Sequence, residues 1–396
     1  MINNQRYDPH LFDEFEMRTE YPDEFRMELK DQEDNSEWIP GIPTNEMALE
    51  SVIGFEAQMA EDKYGFSPDI CLETASESGS QLILAAYNRG ELVRKCARDS
   101  IERAAGITGP ALSRMKIGVY ADTVNNCLNA VPDNRTSLLL KRYEKLSSVH
   151  GDGKNGYEIM PPTRLYDDTV EALGKRFGTP RFTGGTVSHT DVSCSWILPQ
   201  AKAELIQKYK DALNRANAVS CYPINFVPGA IFRTSDTSES SAMLIPGFYF
   251  TKKRFLRFAD GVSVRHSKNP DRSGCDAYRE ALGDIFAKFE DAAANIARLA
   301  GITVYHPENC IIRLCAKYKI SPRYGDGARA EICRLTRGES CTAHDIYLAM
   351  SECLAEADYQ NAGKSITEKL EESIASIAKI VDWTEFDVGG TVAWKN

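Results

Sequence analysis

The densest collection of groups able to hold a phosphate is Arg233-Thr234-Ser235-Asp236-Thr237-Ser238-Glu239-Ser240-Ser241. Hydroxyls and backbone N–H groups of Thr234, Ser235, Thr237 and Ser238 suit a phosphate, while Asp236 and Glu239 offer hard oxygens to a divalent ion. The plainer reading of the same stretch is a polar turn whose side chains satisfy their own backbone. A second constellation is the alternating row His189, Asp191 and Ser193. Same-face neighbours on a strand stand about 7 Å apart, too far for a direct proton relay, so any nucleophile has to come from another segment. The chain contains no P-loop, GxGxxG, GxSxG or HExxH pattern, so no motif fixes a reaction and a non-enzymatic role is the leading expectation.

Two stretches have the composition of a nucleic-acid surface. Between 250 and 272 stand Lys252, Lys253, Arg254, Arg257, Arg265, Lys268 and Arg272 against Asp260 and Asp271, a net +5, with Phe255, Phe258 and His266 interleaved. Between 313 and 337 stand Arg313, Lys317, Lys319, Arg323, Arg329, Arg334 and Arg337 against Asp326 and Glu331, again +5, with Tyr318 and Tyr324. Cations track a phosphate backbone and aromatic faces stack on unpaired bases, so single-stranded DNA or RNA is the partner this combination predicts. Lys252, Lys253, Arg254, Arg257, Arg265 and Lys268 are the expected phosphate contacts, with Phe255 or Phe258 the stacking ring. Solvated faces plus core aromatics account for each stretch equally simply.

The 396 residues are 42% hydrophobic and 26% charged, which excludes a disordered or collagenous chain and is ample for a sizeable core. The formal charge of −10 is concentrated: residues 1–37 hold twelve acids against four basic residues, so the other 359 carry only −2. This acidic arm is studded with Tyr7, Phe12, Phe15, Tyr21, Phe25 and Trp38, more aromatic residues than a solvating tail needs. It is expected to dock on the body, or alternatively to imitate nucleic acid toward a host protein. Eleven cysteines without a CxxC pair indicate a reducing, cytoplasmic setting. No apolar run approaches the roughly 18 residues of a membrane span. The set His306, Cys310, Cys315, Cys333, Cys341 and His344 matches no zinc spacing, and two residues five apart on a helix point about 140° apart; neither metal nor cofactor is expected.

The elements that must position these groups are read from periodicity. Thr44 to about Lys63 and Ser78–Ala105 carry helical spacing, His150–Gly156 reads as a loop tip, and Gln200–Ala216 as an amphipathic helix. Phe182–Leu198, Val219–Arg233, Ser241–Phe250 and Gly261–His266 read as strands. After Asp276 the pattern is helical, with Thr342 and Asp345 forming a capping box. The expected fold is α+β: a mainly antiparallel central sheet flanked by helices, with a helical C-terminal third. The expected divisions are an acidic arm over 1–45, a mostly helical region over 46–180, and an α+β region over 181–396.

The order FRTSDTSESSAMLIPGF (232–248), GVSVRHSKN (261–269), Ala294-Asn295-Ile296-Ala297, His306-Pro307 and TAHDIYLAMSE (342–352) resembles the phage- and plasmid-encoded domain-of-unknown-function family 932, over roughly 180–360. The resemblance implies a mobile-element protein working in the host cytoplasm, with nucleic acid or a host factor as partner. It also implies that the hydroxyl loop and Arg265-His266 belong to one site. No reaction or catalytic residue comes with it. The leading expectation is therefore a nucleic-acid-binding protein. The alternatives are a host-factor-binding or anti-defence protein using the acidic arm, and a metal-dependent phosphoryl-transfer enzyme around Asp236 and Glu239.

Overall fold

In the computed structural model the described residues are 8–52, 63, 82–86, 89–251 and 254–394. Lys252 and Lys253 lie outside them, as does most of 53–81. The fold is α+β, built on two sheets with separate apolar cores.

The N-terminal arm is shared between the sheets. β1 (Glu16–Thr19) pairs antiparallel with the edge of a seven-stranded sheet, and α1 (Pro22–Asp34) packs on the same sheet through Phe25 and Leu29. A glycine is needed opposite: a Cβ at Gly185 would lie 2.4 Å from the Phe25 ring. β2 (Ser36–Pro43) then crosses to a six-stranded sheet. The arm thus docks on its own chain, and its aromatic residues supply the packing.

The six-stranded sheet continues with β3 (Ala48–Ser51), β4 (Leu82–Ala86) and β5 (Arg89–Val93), followed by α2 (Ala97–Ala104) and α3 (Ile117–Asn129). Helices expected over 44–63 and 78–105 are therefore strands wherever the residues are described, apart from a short 3-10 turn at Thr44–Glu46, the isolated Lys63 and α2. The physical reason is burial on both faces: Leu82, Ile83, Leu84, Leu92 and Val93 are all enclosed, and a doubly covered strand has no polar row to reveal a period of two. β6 (Thr136–Arg142) and β7 (Lys145–Gly151) complete it in the order β2-β6-β7-β5-β4-β3, with β5 and β7 parallel. The β6–β7 turn places Tyr143 and Glu144 at φ 45° and 62°, the left-handed pair of a tight hairpin, without the usual Asn-Gly.

α4 (Pro162–Phe177) starts on a proline at its first turn, where the missing N–H costs nothing. β8 (Arg181–Ser188) and β9 (Val192–Ile197) form a hairpin, so the stretch read as one alternating segment over 182–198 is folded back at 189–191. Ser188 makes that turn by accepting the N–H groups of Thr190 and Asp191 at 3.3 and 3.1 Å. α5 (Lys202–Arg215), β10 (Val227–Thr234), β11 (Ala242–Thr251), β12 (Arg254–Leu256) and β13 (Val262–Val264) follow. The sheet runs β1-β8-β9-β10-β11-β12, antiparallel throughout, with β13 also on β11.

The C-terminal third is helical: α6 (Gly274–Leu282), α7 (Ile285–Ala300), α8 (Pro307–Lys317), α9 (Pro322–Thr336), α10 (Ala343–Ala349), α11 (Glu352–Tyr359) and α12 (Lys364–Ile377). The capping box of Thr342 and Asp345 opens α10 as expected. No helix among the described residues is long and apolar enough to cross a membrane.

The two sheets meet over buried ions. Arg142, at the end of β6, donates to Asp236 Oδ2 at 2.6 Å, to Gln32 Oε1 of α1 at 3.1 Å and to Ser36 Oγ at 2.9 Å. Arg94, fully enclosed, donates to the carbonyls of His10 (2.8 Å) and Phe12 (3.3 Å) and lies 3.7 Å from Asp13, which stands equally close to Lys145. Burial pushes the Arg94 guanidinium down to about 10, still charged at neutral pH. Breaking one side of such a pair strands the other charge. Arg142→Met is expected to lower unfolding stability by about 3–5 kcal/mol, and Arg142→Met with Asp236→Leu to recover most of it, as read by urea denaturation.

Candidate functional site

The hydroxyl loop is the turn between β10 and β11. Its first residues face inward: Thr234, Ser235, Asp236 and Thr237 are buried, whereas Ser238 and Glu239 are exposed. Ser235 Oγ donates to the Thr190 carbonyl at 2.5 Å and accepts the N–H groups of Thr237 and Glu239. Thr237 Oγ1 donates to the same carbonyl at 3.1 Å. These two hydroxyls therefore build the loop and are spent on it. Asp236 is buried and paired with Arg142, whereas Glu239 is exposed. Among the described residues no three His, Cys, Asp or Glu side chains gather as a cation site would require.

Below the loop lies a ladder of rings. His150 and Tyr157 stack at 3.8 Å, Tyr157 and His266 at 5.3 Å, and Trp38 covers Tyr157 at 5.6 Å. His266 Nε2 is 3.0 Å from Thr234 Oγ1, and its Nδ1 is 3.0 Å from the Tyr157 hydroxyl. The hydroxyl loop and His266 thus share one site, and Arg265 lines the cleft beside them.

His150 was not among the residues singled out in the sequence, yet it is central. It ends β7, one hairpin along from Arg142, and its Nε2 stands 2.8 Å from the Asp236 carbonyl oxygen. A carbonyl only accepts, so Nε2 carries the hydrogen. Burial pushes this imidazole down to about 4, keeping it neutral. Nδ1 is then bare and accepts from Ser238 Oγ at 3.1 Å. Ser238 itself sits at φ 65°, a left-handed conformation uncommon outside glycine and costly by about 1 kcal/mol.

Ser238 borders two clefts. One, of about 1030 Å³, is lined by more acids than cations among the described residues: Asp99, Asp191, Glu239, Glu368 and Glu372 against Arg233 and Arg265. The other, of about 660 Å³, has no carboxylate among the described residues of its lining; Arg103 and Arg135 stand there with Ser100, Ser137, Ser238 and the glycine-rich turn after β7. Arg103 also donates to the Thr237 carbonyl at 3.4 Å. Neither arginine has a carboxylate within ion-pair distance among the described residues.

The cations expected to grip phosphate are differently placed. Arg254 pairs with Glu352, Arg257 with Glu372 at 2.5 Å and Lys268 with Asp152 at 2.6 Å. Phe255 packs on Tyr249 at 4.8 Å. Phe258 is a correction: it lies in the core against Tyr209, Phe248 and Tyr347, so its face cannot receive a base. In the second basic stretch Lys317, Arg329 and Arg334 pair with Glu385, Glu308 and Glu331. Tyr324 is buried. Arg254, Arg257, Lys268, Lys317 and Arg329 are thus matched by acids from other segments, which a count along the chain does not register, whereas Arg265 lines the acidic cleft. His189 of the other constellation is buried, with Nε2 3.0 Å from the Phe12 carbonyl oxygen.

Compared with protein-family models, with curated proteins and with solved structures, the chain matches none.

The state of His150 has a consequence for stability. An unfolded imidazole titrates near 6.5 and this one near 4. The unfolded chain therefore takes up a proton between those values while the folded chain does not. Stability from this ring is complete above pH 6.5 and is lost as pH falls toward 4, by at most about 3 kcal/mol. The urea midpoint is expected to fall over that range, and to fall less steeply in His150→Gln.

Proposed function

We propose that the protein binds the phosphate backbone of a nucleic acid along the cleft of about 660 Å³ between the β6–β7 hairpin, α2 and the hydroxyl loop. The supporting observation is the lining: among the described residues, two guanidiniums without an acid partner stand with hydroxyls and glycine backbone, and no carboxylate is there to repel a phosphate. The acidic neighbouring cleft repels a second strand, which favours a single strand entering from the Arg135 side. The cations named from the sequence contribute less in this reading, because each of Arg254, Arg257 and Lys268 is neutralised within the protein. A setting in phage or plasmid propagation is attached to the proposal by the resemblance to family 932 alone.

Fluorescence anisotropy with a labelled single-stranded oligonucleotide tests it. Binding is expected to weaken steeply between 50 and 200 mM salt, and Arg103→Glu with Arg135→Glu to weaken it at least tenfold, by roughly 1.4 kcal/mol or more. Arg257→Ala is expected to change it less than twofold. Affinity that is absent at low salt, or indifferent to the Arg103 and Arg135 substitutions, overturns the reading.

A further inference from the structure

We propose that Ser238 and His150 form a nucleophile and general-base pair that attacks phosphodiesters held in the carboxylate-free cleft. The inference rests on the nucleic-acid reading for its substrate class and on separate geometry for its chemistry.

Four observations carry it. Ser238 is the one exposed hydroxyl of the loop whose oxygen meets an imidazole, at 3.1 Å from His150 Nδ1. The far nitrogen of that ring is held at 2.8 Å by the Asp236 main-chain carbonyl, which fixes the tautomer with a bare Nδ1 facing the serine. Ser238 is exposed and takes a left-handed backbone conformation, while the hydroxyls of Ser235 and Thr237 are bonded inward to the Thr190 carbonyl. Arg103, bonded to the carbonyl of the residue preceding Ser238, and Arg135 supply positive charge for the non-bridging oxygens of a phosphate in transit.

In the first step the Ser238 Oγ–P bond forms as the bond from phosphorus to the leaving oxygen breaks. The Oγ proton passes to His150 Nδ1 and from there to the leaving oxygen, which departs as an alcohol. Water, or the strand hydroxyl returning, then attacks the phosphorus of the phosphoserine diester and gives its proton to His150 Nδ1; the Oγ–P bond breaks, and His150 passes that proton to Ser238 Oγ, restoring the serine hydroxyl and the bare Nδ1. No oxidant, reductant or metal enters the balance. Asp236 is a positioning residue: its carbonyl orients the ring, and its carboxylate, gripped by Arg142, fixes the carbonyl.

The test uses the full chain and bis(4-nitrophenyl) phosphate, a small phosphodiester. A burst of one equivalent of nitrophenolate is expected, with a nitrophenyl phosphate adduct mapped by mass spectrometry to Ser238 and absent from the exposed Ser113 of the same chain. Ser238→Ala is expected to abolish the burst and His150→Gln to slow it at least 100-fold. The wild-type burst rate is expected to be level above about pH 5 and to fall below it, a profile that needs no folded variant. No burst, or an adduct no faster at Ser238 than at Ser113, overturns the inference even where oligonucleotides bind. A Ser238 adduct in a chain that binds no oligonucleotide upholds the pair and overturns the polymer reading instead.

Discussion

The ion pair between Arg142 and Asp236 joins three parts of the chain that local sequence leaves independent. Arg142 ends a strand of the six-stranded sheet, Asp236 sits in a turn of the seven-stranded sheet, and Gln32 on the arm's helix shares the guanidinium. Two charges out of water are stable only when their remaining hydrogen-bonding capacity is met, and here Ser36 and Gln32 meet most of the guanidinium's. The neighbouring Arg94, Lys145 and Asp13 repeat the device, with the carbonyls of His10, Phe12 and Arg142 accepting from Arg94. The arm is thus the lid on a charged seam, which explains an acidic segment rich in rings: Asp13 supplies charge, while Phe15 and Tyr143 pack on His10.

From that seam the site follows. With Asp236 pinned by its carboxylate, its carbonyl is aimed at His150, and the ring passes a bare nitrogen to Ser238. The β6–β7 hairpin contributes both partners, Arg142 from one strand and His150 from the other, so the fixed register of that pairing sets their spacing. The loop also divides the surface into an acidic cleft and a carboxylate-free one.

Much of the fold was legible. Helical periodicity over 200–216 and after Asp276, the capping box at Thr342, and the extended stretches 182–198 and 241–250 marked elements that the structure contains, whereas the helix beginning at Pro162 was not read. The first sheet was not legible, because Leu82–Ala86 and Arg89–Val93 are covered on both faces and read as a helical stripe. The grouping of the hydroxyl loop with His266 was implied by resemblance, and the two do meet. His150 was hidden because it lies 86 residues from Asp236 in the chain, and only pairing of the sheets brings them together. Arg103 and Arg135 stood in no basic run, whereas Arg254, Arg257 and Lys268 of the first run are paired with Glu352, Glu372 and Asp152. Linear charge counting finds cations; it does not find which of them lack a partner.

The nitrogen chemical shifts of the His150 imidazole, measured by long-range ¹⁵N–¹H correlation at neutral pH, test the central claim that the Asp236 carbonyl fixes this ring for Ser238. The account predicts a single neutral tautomer with its hydrogen on Nε2 and a bare Nδ1, unchanged down to about pH 5. A hydrogen on Nδ1, or averaged shifts from a ring exchanging between tautomers, would contradict it.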